Sequence, residues 1–320
     1  MTRSRPAPEA EGRRLLRDAP QLPAPRFWRR GRQGRGWWAA LFLSPALCII
    51  ALFIVIPIIL SVWISLHSWS MLTPLSDMDF VGLDNYRRIV GDRVFRQSLV
   101  NTAVYTGLTV VLIVPLALLL GMLLFFPNLR GRGAIRTMLF STYMVPPVAV
   151  AIIWGALYGP VHGPLNHILR MVGLPSVAWL GSPDTALYAL VAFNVWQLAG
   201  YFTVLVIAGL SQIPTDYYEA AAVDGAGALR QLKDITIPLL RRTLVFVVVM
   251  ATINAVQVFD PIYVLTQGGP ADSTNILSFH IYRTAFDFGA AGRASSMAVI
   301  MLMFLIVAVA GVFAAGRESE

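Results

Sequence analysis

The stretch LFLSPALCIIALFIVIPIILSVWISL, residues 41–66, contains no charged side chain. About 20 apolar residues are enough for a helix to cross the hydrocarbon core of a bilayer. The apolar run begins at Trp37 and is much longer than the roughly 7 to 15 residues of a signal-peptide core, so we expect it to remain as a membrane anchor. With 57 % hydrophobic and 13 % charged residues, the 320-residue chain also has too little polar surface for a water-soluble globule.

Six segments are long and apolar enough to be transmembrane helices, which predicts an all-α integral membrane protein with six spans. Their approximate bounds are 37–66, 98–126, 134–158, 185–210, 243–265 and 294–315. Prolines inside the spans are expected to kink the helices without excluding them, because neighbouring helices can satisfy the freed backbone groups. The connection after the first span, residues 80–90, is predicted to form a short surface helix.

The positive charges indicate the orientation of the chain. Ten arginines precede residue 37, and residues 1–36 are predicted to be a disordered, Arg- and Pro-rich cytoplasmic tail. With six spans, most of the 25 Lys and Arg residues fall on the same side as this tail, which predicts that both termini are cytoplasmic. Cations in this arrangement indicate membrane orientation rather than binding of nucleic acid. Residues 37–320 then form the transmembrane domain.

The interiors of the predicted spans are almost clear of ionisable groups. The charged residues that fall in or beside them lie near the ends, and they are Arg136, Asp184, Arg241, Arg242, Asp260 and Arg293. An ion-coupled secondary transporter usually keeps such a group deep in a span, so this alternative is disfavoured. Active transport then requires ATP. The only lysine, Lys233, lies between Leu232 and Asp234, so the chain has no Gly-Lys-Ser/Thr phosphate-binding loop.

No catalytic or metal site is predicted. The histidines are His67, His162, His167 and His280. They fall in or beside outer loops, where we expect solvated side chains rather than metal ligands. No Ser/His/Asp or paired-carboxylate arrangement converges on one segment, so a catalytic interpretation has no residues to support it.

A polar insert at about 214–238, between the fourth and fifth spans, interrupts the hydrophobic pattern. Asp216 and Glu219, at a spacing of three, resemble a capping box that opens a short helix. Gly225 and Gly227 then permit a tight turn. The insert is predicted to be a helix, a turn and a second helix, presented to the cytoplasm.

The second helix of the insert is predicted to start at Ala228 and to be amphipathic until Pro238 ends it. The first helix presents the small residues Ala220–Ala222, flanked by Glu219 and Asp224. Small side chains let the backbone of another protein approach closely, and a carboxylate can pair with a partner's arginine. The residues alone leave two alternatives open: a docking surface, or a surface connector in which alanine favours helix.

The insert resembles the cytoplasmic coupling motif of binding-protein-dependent ABC importer permeases. The residues that match the motif are Glu219, Ala220, Ala221, Asp224, Gly225, Ala226, Ile235, Ile237 and Pro238. Leu232 stands where an aromatic residue is common, and Arg242 where a second proline often occurs. The resemblance implies a type I ABC importer permease fold. It also implies that Glu219, Ala220, Ala221, Asp224 and Gly225 dock onto an ATPase.

The same resemblance implies the partners, the location and the cargo. It implies a heterodimer with a second permease subunit, a dimeric ABC ATPase that holds ATP and Mg, and an extracytoplasmic solute-binding protein, with no cofactor on this chain. The location implied is the bacterial plasma (inner) membrane. The segments FVGLDNYRRIV, residues 80–90, and LTQGGPADSTNILSFHIYRTAFDFG, residues 265–289, resemble the carbohydrate-importing branch, which implies a sugar or a related polyol as cargo.

Polar residues on two spans are predicted to line a path for this cargo. Asn194, Gln197 and Tyr201 share one face of the fourth span, and Asn254 and Gln257 form a similar pair in the fifth. Neutral amides suit uncharged, hydroxyl-rich ligands. The alternative is that they only bond neighbouring helices, at about 0.6 kcal/mol each. A non-transporting membrane scaffold is the remaining class, and the polar faces and the coupling motif disfavour it.

Overall fold

The computed structural model describes residues 32–125 and 131–317. The first helix begins at Arg32, within the segment predicted as a tail. Residues 1–31 lie outside the described residues, and the disorder predicted for them stays a prediction. The chain divides into two compact units, Met1–Ile58 and Ile59–Glu320.

Helices form nearly all of the regular structure in the described residues. Their bounds are α1 Arg32–Ile50, α2 Ile56–Ser65, α3 Asp84–Gly91, α4 Arg93–Phe125, α5 Arg132–Met144, α6 Pro147–Leu157, α7 Pro164–Met171, α8 Pro183–Leu210, α9 Asp216–Val223, α10 Ala228–Gln231, α11 Ile237–Val256, α12 Asp260–Leu265, α13 Leu277–Tyr282 and α14 Ala291–Arg317. Wider π-helical turns occupy Ala51–Val55, Leu232–Thr236 and Arg283–Asp287, and a 3-10 turn occupies Leu75–Asp77.

Two short strands, β1 His67–Ser68 and β2 Asp79–Phe80, pair antiparallel in the connection after α2. Within the described ranges they are the only strands, so the all-α prediction misses just this hairpin. The surface helix predicted at 80–90 is present as α3, which starts later because β2 takes up the first residues. Asn85 of α3 is buried and donates from its amide to the Ser65 oxygen at 2.9 Å, which holds α3 against the end of α2.

The core of the unit Ile59–Glu320 lies where α4, α8 and α11 pack against one another. The buried apolar residues of this core are Ile113, Ala117, Leu198, Phe202, Val206, Leu210, Ile213, Leu240, Val247 and Ala251. α5 packs along α8, and α14 packs against α11. At the crossing of α5 and α8, a Cβ on Gly200 would overlap the backbone oxygen of Leu139. Small residues at such crossings let membrane helices approach closely, and Gly200 allows this close contact between α5 and α8.

Five helices in the described residues are long and apolar enough to cross a membrane, and α5 with α6 makes a sixth if that bent pair is one span. The predicted fold class is confirmed in this form. The third predicted span, 134–158, corresponds to α5 and α6, and the kink expected from its prolines is confirmed as an angle of 100° between the two helices. Val145 and Pro146 are extended, with ψ of 135° and 131°, and Pro147 starts α6. A residue before proline avoids the helical region, so two successive prolines end one helix and start another.

α10 and α11 are one continuous helix, which corrects the prediction that Pro238 ends the second helix of the insert. The π-helical turn Leu232–Thr236 joins them, and in it the Ile237 amide donates to the Leu232 oxygen, five residues back. This wider turn immediately precedes Pro238, whose ring and missing N–H disrupt a regular α-helical ladder. The helix therefore runs without a stop from Ala228 to Val256.

The unit Met1–Ile58 contains a turn of the same kind. α1 is followed by the π-helical turn Ala51–Val55, in which the Ile56 amide donates to the Ala51 oxygen, one residue before Pro57. Pro45 lies within α1. Both prolines are thus accommodated in helical segments, as predicted for membrane spans.

The connection between α12 and α13 is held in shape by α4. The Asn101 amide donates to the backbone oxygens of Asp272, at 2.8 Å, and Asn275, at 3.1 Å. Gln267 and Ala271 both have φ of +49°, in the left-handed region that residues other than glycine rarely adopt. Such conformations persist where the surrounding structure imposes them, and the Asn101 hydrogen bonds are part of that structure.

The histidines are only partly as predicted. His162 and His167 are exposed, and His67 is half-buried, with its Nδ1 atom 2.7 Å from the Trp63 oxygen. His280 is buried on α13, so the prediction of a solvated side chain is wrong there, and burial lowers its pKa. Within residues 32–125 and 131–317, no group of three or more His, Cys, Asp and Glu side chains could hold a metal ion.

Candidate functional site

The predicted docking residues lie on α9 and on the turn that follows it. The N-cap of α9 is Thr215, and its side chain makes no capping hydrogen bond in this described segment. Thr215 has helical angles, φ −62° and ψ −27°, instead of the extended conformation that an N-cap side chain needs to reach the first amides. The capping box predicted from Asp216 and Glu219 is therefore wrong, although the helix is present. Both carboxylates lie in the first turn, where the helix dipole favours negative charge.

α9 ends in a Schellman motif at Gly225. The Gly225 amide donates to the Ala222 oxygen at 3.1 Å, and the Ala226 amide donates to the Ala221 oxygen at 2.8 Å. Gly225 has φ of +76°, which glycine adopts without steric cost. A Cβ at this position would meet no atom within 4 Å. A substitution of Gly225 is therefore penalised by its backbone conformation and not by a steric clash in this chain.

The predicted docking residues are accessible. Glu219, Ala220, Asp224 and Gly225 are exposed, and Ala221 is half-buried. The neighbouring Val223 side chain is 88 % exposed, an unusual value for an apolar residue at the end of a helix. The segment thus presents two carboxylates, a low surface of small residues and one exposed apolar side chain.

Tyr218 anchors this exposed segment to the membrane domain. Its ring packs against the buried core of α4, α8 and α11, and its hydroxyl lies 3.1 Å from Oγ1 of the buried Thr236. The Gln231 amide donates to the Ala226 oxygen at 3.1 Å. Because of these contacts, the turn after α9 is bonded to the start of the long α10–α11 helix instead of being a free linker.

A cavity of about 250 Å³ lies where α8 meets the end of α11. Four of the five predicted path residues line it: Asn194, Gln197, Asn254 and Gln257. Asn194 and Gln197 are largely buried, at 4 % and 6 % exposure. We call this space the amide cavity. It places neutral hydrogen-bonding groups from two helices around one volume.

The fifth predicted path residue, Tyr201, is not among the residues that line the amide cavity. Its ring stacks on Tyr143 of α5, with centroids 4.6 Å apart. Tyr201 shares its face of α8 with the amides, as predicted, but α5 covers it because the α5–α8 crossing lies at this level.

The amides differ in how they are bonded. The Asn194 amide donates to the Tyr105 hydroxyl of α4 at 2.6 Å, and the Asn254 amide donates to the Met250 oxygen of its own helix at 2.8 Å. In the described part of the chain, the side-chain amides of Gln197 and Gln257 make no hydrogen bond within the protein. Asn194 thus bonds α8 to α4, as expected if these polar residues only join helices. The two glutamines keep donors and acceptors available to a ligand.

Sequence reasoning missed Phe259 and Asp260, which also line the amide cavity. α11 ends at Val256, Phe259 has the non-helical angles φ −140° and ψ −55°, and α12 begins at Asp260 with Pro261 in its first turn. The fifth predicted span, 243–265, is therefore interrupted near its C-terminal end. The Asp260-Pro261 dipeptide is the signal for this break, because proline is favoured at the first positions of a helix and not in its interior.

Residues 86–316 match the model of the family described as "Binding-protein-dependent transport system inner membrane component". The chain belongs to this family, and it is therefore a multi-pass membrane permease subunit of a transport system and not an enzyme.

Two curated relatives and one solved structure extend this result. The chain is 37 % identical to the trehalose/maltose transport system permease protein MalF of Thermococcus litoralis, over 83 % of this chain and 90 % of that protein. It is 32 % identical to the lactose transport system permease protein LacF of Rhizobium radiobacter, over 89 % and 95 %. A crystal structure of a bacterial alginate ABC transporter, in complex with an alginate pentasaccharide-bound periplasmic protein, contains a chain that superimposes with a TM-score of 0.77 at 22 % identity, over 92 % of this chain and 98 % of that one. The fold of this chain is thus that of an ABC importer permease, as predicted.

Proposed function

We propose that this chain is the permease subunit of an ATP-driven, binding-protein-dependent importer and forms part of the membrane path for a neutral saccharide or related polyol. One observation carries the proposal. The exposed turn after α9, residues 224–227, which we call the coupling turn, is joined to the amide cavity by the continuous helix from Ala228 to Val256. At 1.5 Å per residue, this helix places Asn254 about 40 Å from Ala228. A displacement imposed on the turn by an ATPase therefore acts on a helix that lines the cavity.

The exposed segment suits docking onto an ATPase. Glu219 and Asp224 supply charge for a partner's arginine or lysine, and Ala220, Ala221 and Gly225 leave room for close approach. The hydrogen bonds of Tyr218 and Gln231 connect this surface to the start of the α10–α11 helix. ATP and Mg belong to the ATPase in this proposal, and this chain needs no cofactor of its own.

The amide cavity suits an uncharged ligand. Gln197 and Gln257 both donate and accept, which matches hydroxyl groups without the cost of burying a charge. Phe193 and Phe259 supply apolar walls. Relatives of this chain are permease proteins of trehalose/maltose, lactose and diacetylchitobiose transport systems, which supports a saccharide as the cargo class.

The remaining parts of the proposal follow from the family. A second permease chain completes a heterodimer, a dimeric ABC ATPase binds the cytoplasmic side, and an extracytoplasmic solute-binding protein delivers the sugar. The location is the bacterial plasma (inner) membrane, with both termini cytoplasmic. The structure of the alginate transporter in complex with a periplasmic protein supports the solute-binding protein as a partner.

The function is tested by reconstituting the chain in proteoliposomes with a second permease chain, an ABC ATPase and a binding protein from the same genome. We expect uptake of maltose, trehalose, lactose or diacetylchitobiose that needs ATP inside the vesicles, needs all four components, and persists when an uncoupler removes the proton gradient. Uptake that needs the gradient and not ATP would contradict the proposal. So would a chain that never co-purifies with the ATPase.

Gln197→Ala is expected to change the ratio of uptake rates for two of these sugars about fivefold, because a net hydrogen bond is worth about 1 kcal/mol. The matched control is Tyr105→Phe, which removes the partner of the Asn194 amide without removing a residue that lines the cavity. We expect the control to lower thermal stability with an unchanged ratio. If Gln197→Ala behaves like the control, the polar residues serve only to bond helices.

A further inference from the structure

A second pocket, of about 340 Å³, lies beside α12 and α13. The coupling turn is at the other end of the helix that leads to α12. It is lined by Tyr263, Gln267, Phe279, Tyr282, Arg283 and Asp287. We call it the outer pocket. It shares no lining residue with the amide cavity, and none of the predicted path residues contributes to it.

Aromatic rings form one wall of the outer pocket. The Tyr282 ring lies 5.5 Å from the Tyr263 ring, edge to face at 83°, and 5.1 Å from the Phe286 ring, which does not itself line the pocket. Phe279 lies behind them, with its ring 6.5 Å from that of Tyr263. Rings held in such pairs form a firm apolar surface, on which the C–H face of a sugar ring can pack.

Polar groups stand at the edge of this aromatic wall. Arg283 lies over the rings of Phe279 and Phe288, with its Cζ atom 6.0 Å and 5.5 Å from their centroids, and its Nε atom is 3.6 Å from Oδ2 of Asp287. The pair leaves the edge with donors and acceptors but little net charge. This balance favours a neutral, hydroxyl-rich ligand over an anion or a cation.

Gln267 completes the edge, and its backbone is held in an unusual conformation. It is exposed and has φ of +49°, and its backbone N–H donates to the Ile262 oxygen at 2.7 Å. Its loop is fixed from the far side by the hydrogen bonds of Asn101. Residues kept in the left-handed region cluster at ligand-binding positions, where the conformation aims a side chain.

Phe259 connects the two cavities. It lines the amide cavity, and its ring stacks on Tyr263 of the outer pocket, with centroids 5.4 Å apart and planes at 23°. It also contacts the Tyr282 ring, at 5.1 Å. Phe259 therefore touches both the amide cavity and two of the rings that line the outer pocket.

We propose that the outer pocket is a second saccharide subsite, which holds a sugar ring against Tyr282 and Tyr263 before the sugar passes Phe259 into the amide cavity. The inference rests on the proposed import function. It adds an entry subsite, built by the connection between the fifth and sixth spans, to the path that the amides line. The hydroxyls of the sugar bond with Arg283 and Asp287, its apolar face covers the tyrosine rings, and Gln267 stands at the edge of the bound sugar.

Protection of a cysteine at the edge of the pocket tests this subsite without relying on transport. Gln267→Cys is made in a Cys48→Ala background, because Cys48 is the only native cysteine, and the chain is kept in membrane vesicles with its partner subunits. A water-soluble maleimide is added with and without maltose, lactose or diacetylchitobiose. We expect at least one sugar to slow the labelling about fivefold. Val172→Cys, at an exposed position after α7, is the control site and should not be protected.

Three further substitutions identify the source of the protection. Tyr282→Ala removes the ring and should abolish it, whereas Tyr282→Phe keeps the ring and should retain most of it. Phe286→Ala removes a neighbouring ring that does not line the pocket and should have little effect. If none of the three sugars protects Gln267→Cys, or if protection survives Tyr282→Ala, the subsite is excluded. If the cysteine is inaccessible even without sugar, a partner protein covers the pocket, and the proposal is equally wrong.

Uptake by the reconstituted importer then separates this proposal from the proposed function. We expect Tyr282→Ala to lower the maximal uptake rate about tenfold while leaving the half-saturating concentration of sugar-loaded binding protein unchanged. A raised half-saturating concentration with a normal maximal rate would identify the pocket as a docking surface and overturn the subsite. If the wild-type importer shows no ATP-dependent uptake, the import function fails, and the labelling result still decides whether the pocket binds a sugar.

Discussion

Gly225→Ala is expected to lower ATP-dependent uptake about tenfold while leaving the membrane domain folded. The Schellman motif at the end of α9 needs φ of +76° at this residue, and a left-handed conformation costs a residue with a Cβ about 1–2 kcal/mol. Because about 1.4 kcal/mol is a factor of ten, the fraction of chains with the correct turn falls by roughly one order of magnitude when the turn is marginally stable. Uptake and the amount of ATPase that co-purifies are the measurements.

Gly227→Ala is the matched control for this loss. Gly227 lies two residues further along the same turn, also has open space around its Cα, and has an ordinary φ of −70°. Uptake should stay within about twofold of the wild-type rate. Gly225→Asn should fall between the two, since asparagine tolerates the left-handed region better than alanine does. Equal uptake by Gly225→Ala and Gly227→Ala would show that the shape of this turn does not matter for coupling.

Gly200→Ala is expected to be among the most destabilising substitutions to alanine in the membrane domain. The added Cβ would overlap the Leu139 backbone oxygen, so α5 must move away from α8. Overpacking typically costs about 1–3 kcal/mol, and a backbone atom cannot rotate away as a side chain can, so we expect the upper end of this range. The melting temperature of the purified protein in detergent should fall clearly, and the yield of monodisperse protein should fall with it.

Gly107→Ala provides the comparison for Gly200→Ala. Gly107 lies in α4, and a Cβ there would meet no atom within 4 Å. Alanine favours a helix over glycine by about 0.5–1 kcal/mol, so this substitution should leave the melting temperature unchanged or raise it slightly. If the two glycine variants melt at the same temperature, the close contact of α5 and α8 is not a determinant of stability.

The hydrophobic pattern predicts most of the fold because the thickness of the bilayer fixes the span length, so an apolar segment long enough to cross it can be recognised in the sequence. The pattern does not predict what each proline does. Pro146 and Pro147 split a span by 100°, whereas Pro238 lies inside a continuous helix. The two cases differ because of a contact between residues far apart in the sequence. A π-helical turn precedes Pro238, and it is stabilised in part by the Tyr218–Thr236 contact, which joins two segments of the insert. Local propensity contains no information about that contact.

The candidate site was predictable to a similar degree. Helical spacing placed Asn194 and Gln197 on one face, and the structure brings both together with Asn254 and Gln257. Tyr201 lies on the same face of α8, but its ring packs against α5 and not in the cavity. The position of a residue along a span decides which neighbouring helix covers it. The outer pocket was not predictable, since its residues follow a helix break at Phe259 and come together only through the loop that Asn101 holds. The roles of the docking and path residues stay predictions until they are tested.

The π-helical turn at Leu232–Thr236 also affects how the sequence of this protein can vary. A π-helical turn is equivalent to one residue inserted into an α-helix, so the helix carries one residue more than its ladder of hydrogen bonds needs. A deletion within the turn keeps the direction of every later side chain, although it returns Pro238 to a regular α-helical ladder, whereas a deletion further along α11 rotates every later side chain by about 100°. The length of the insert between the fourth and fifth spans can therefore change by one residue at this point while Asn254 keeps its direction relative to α8.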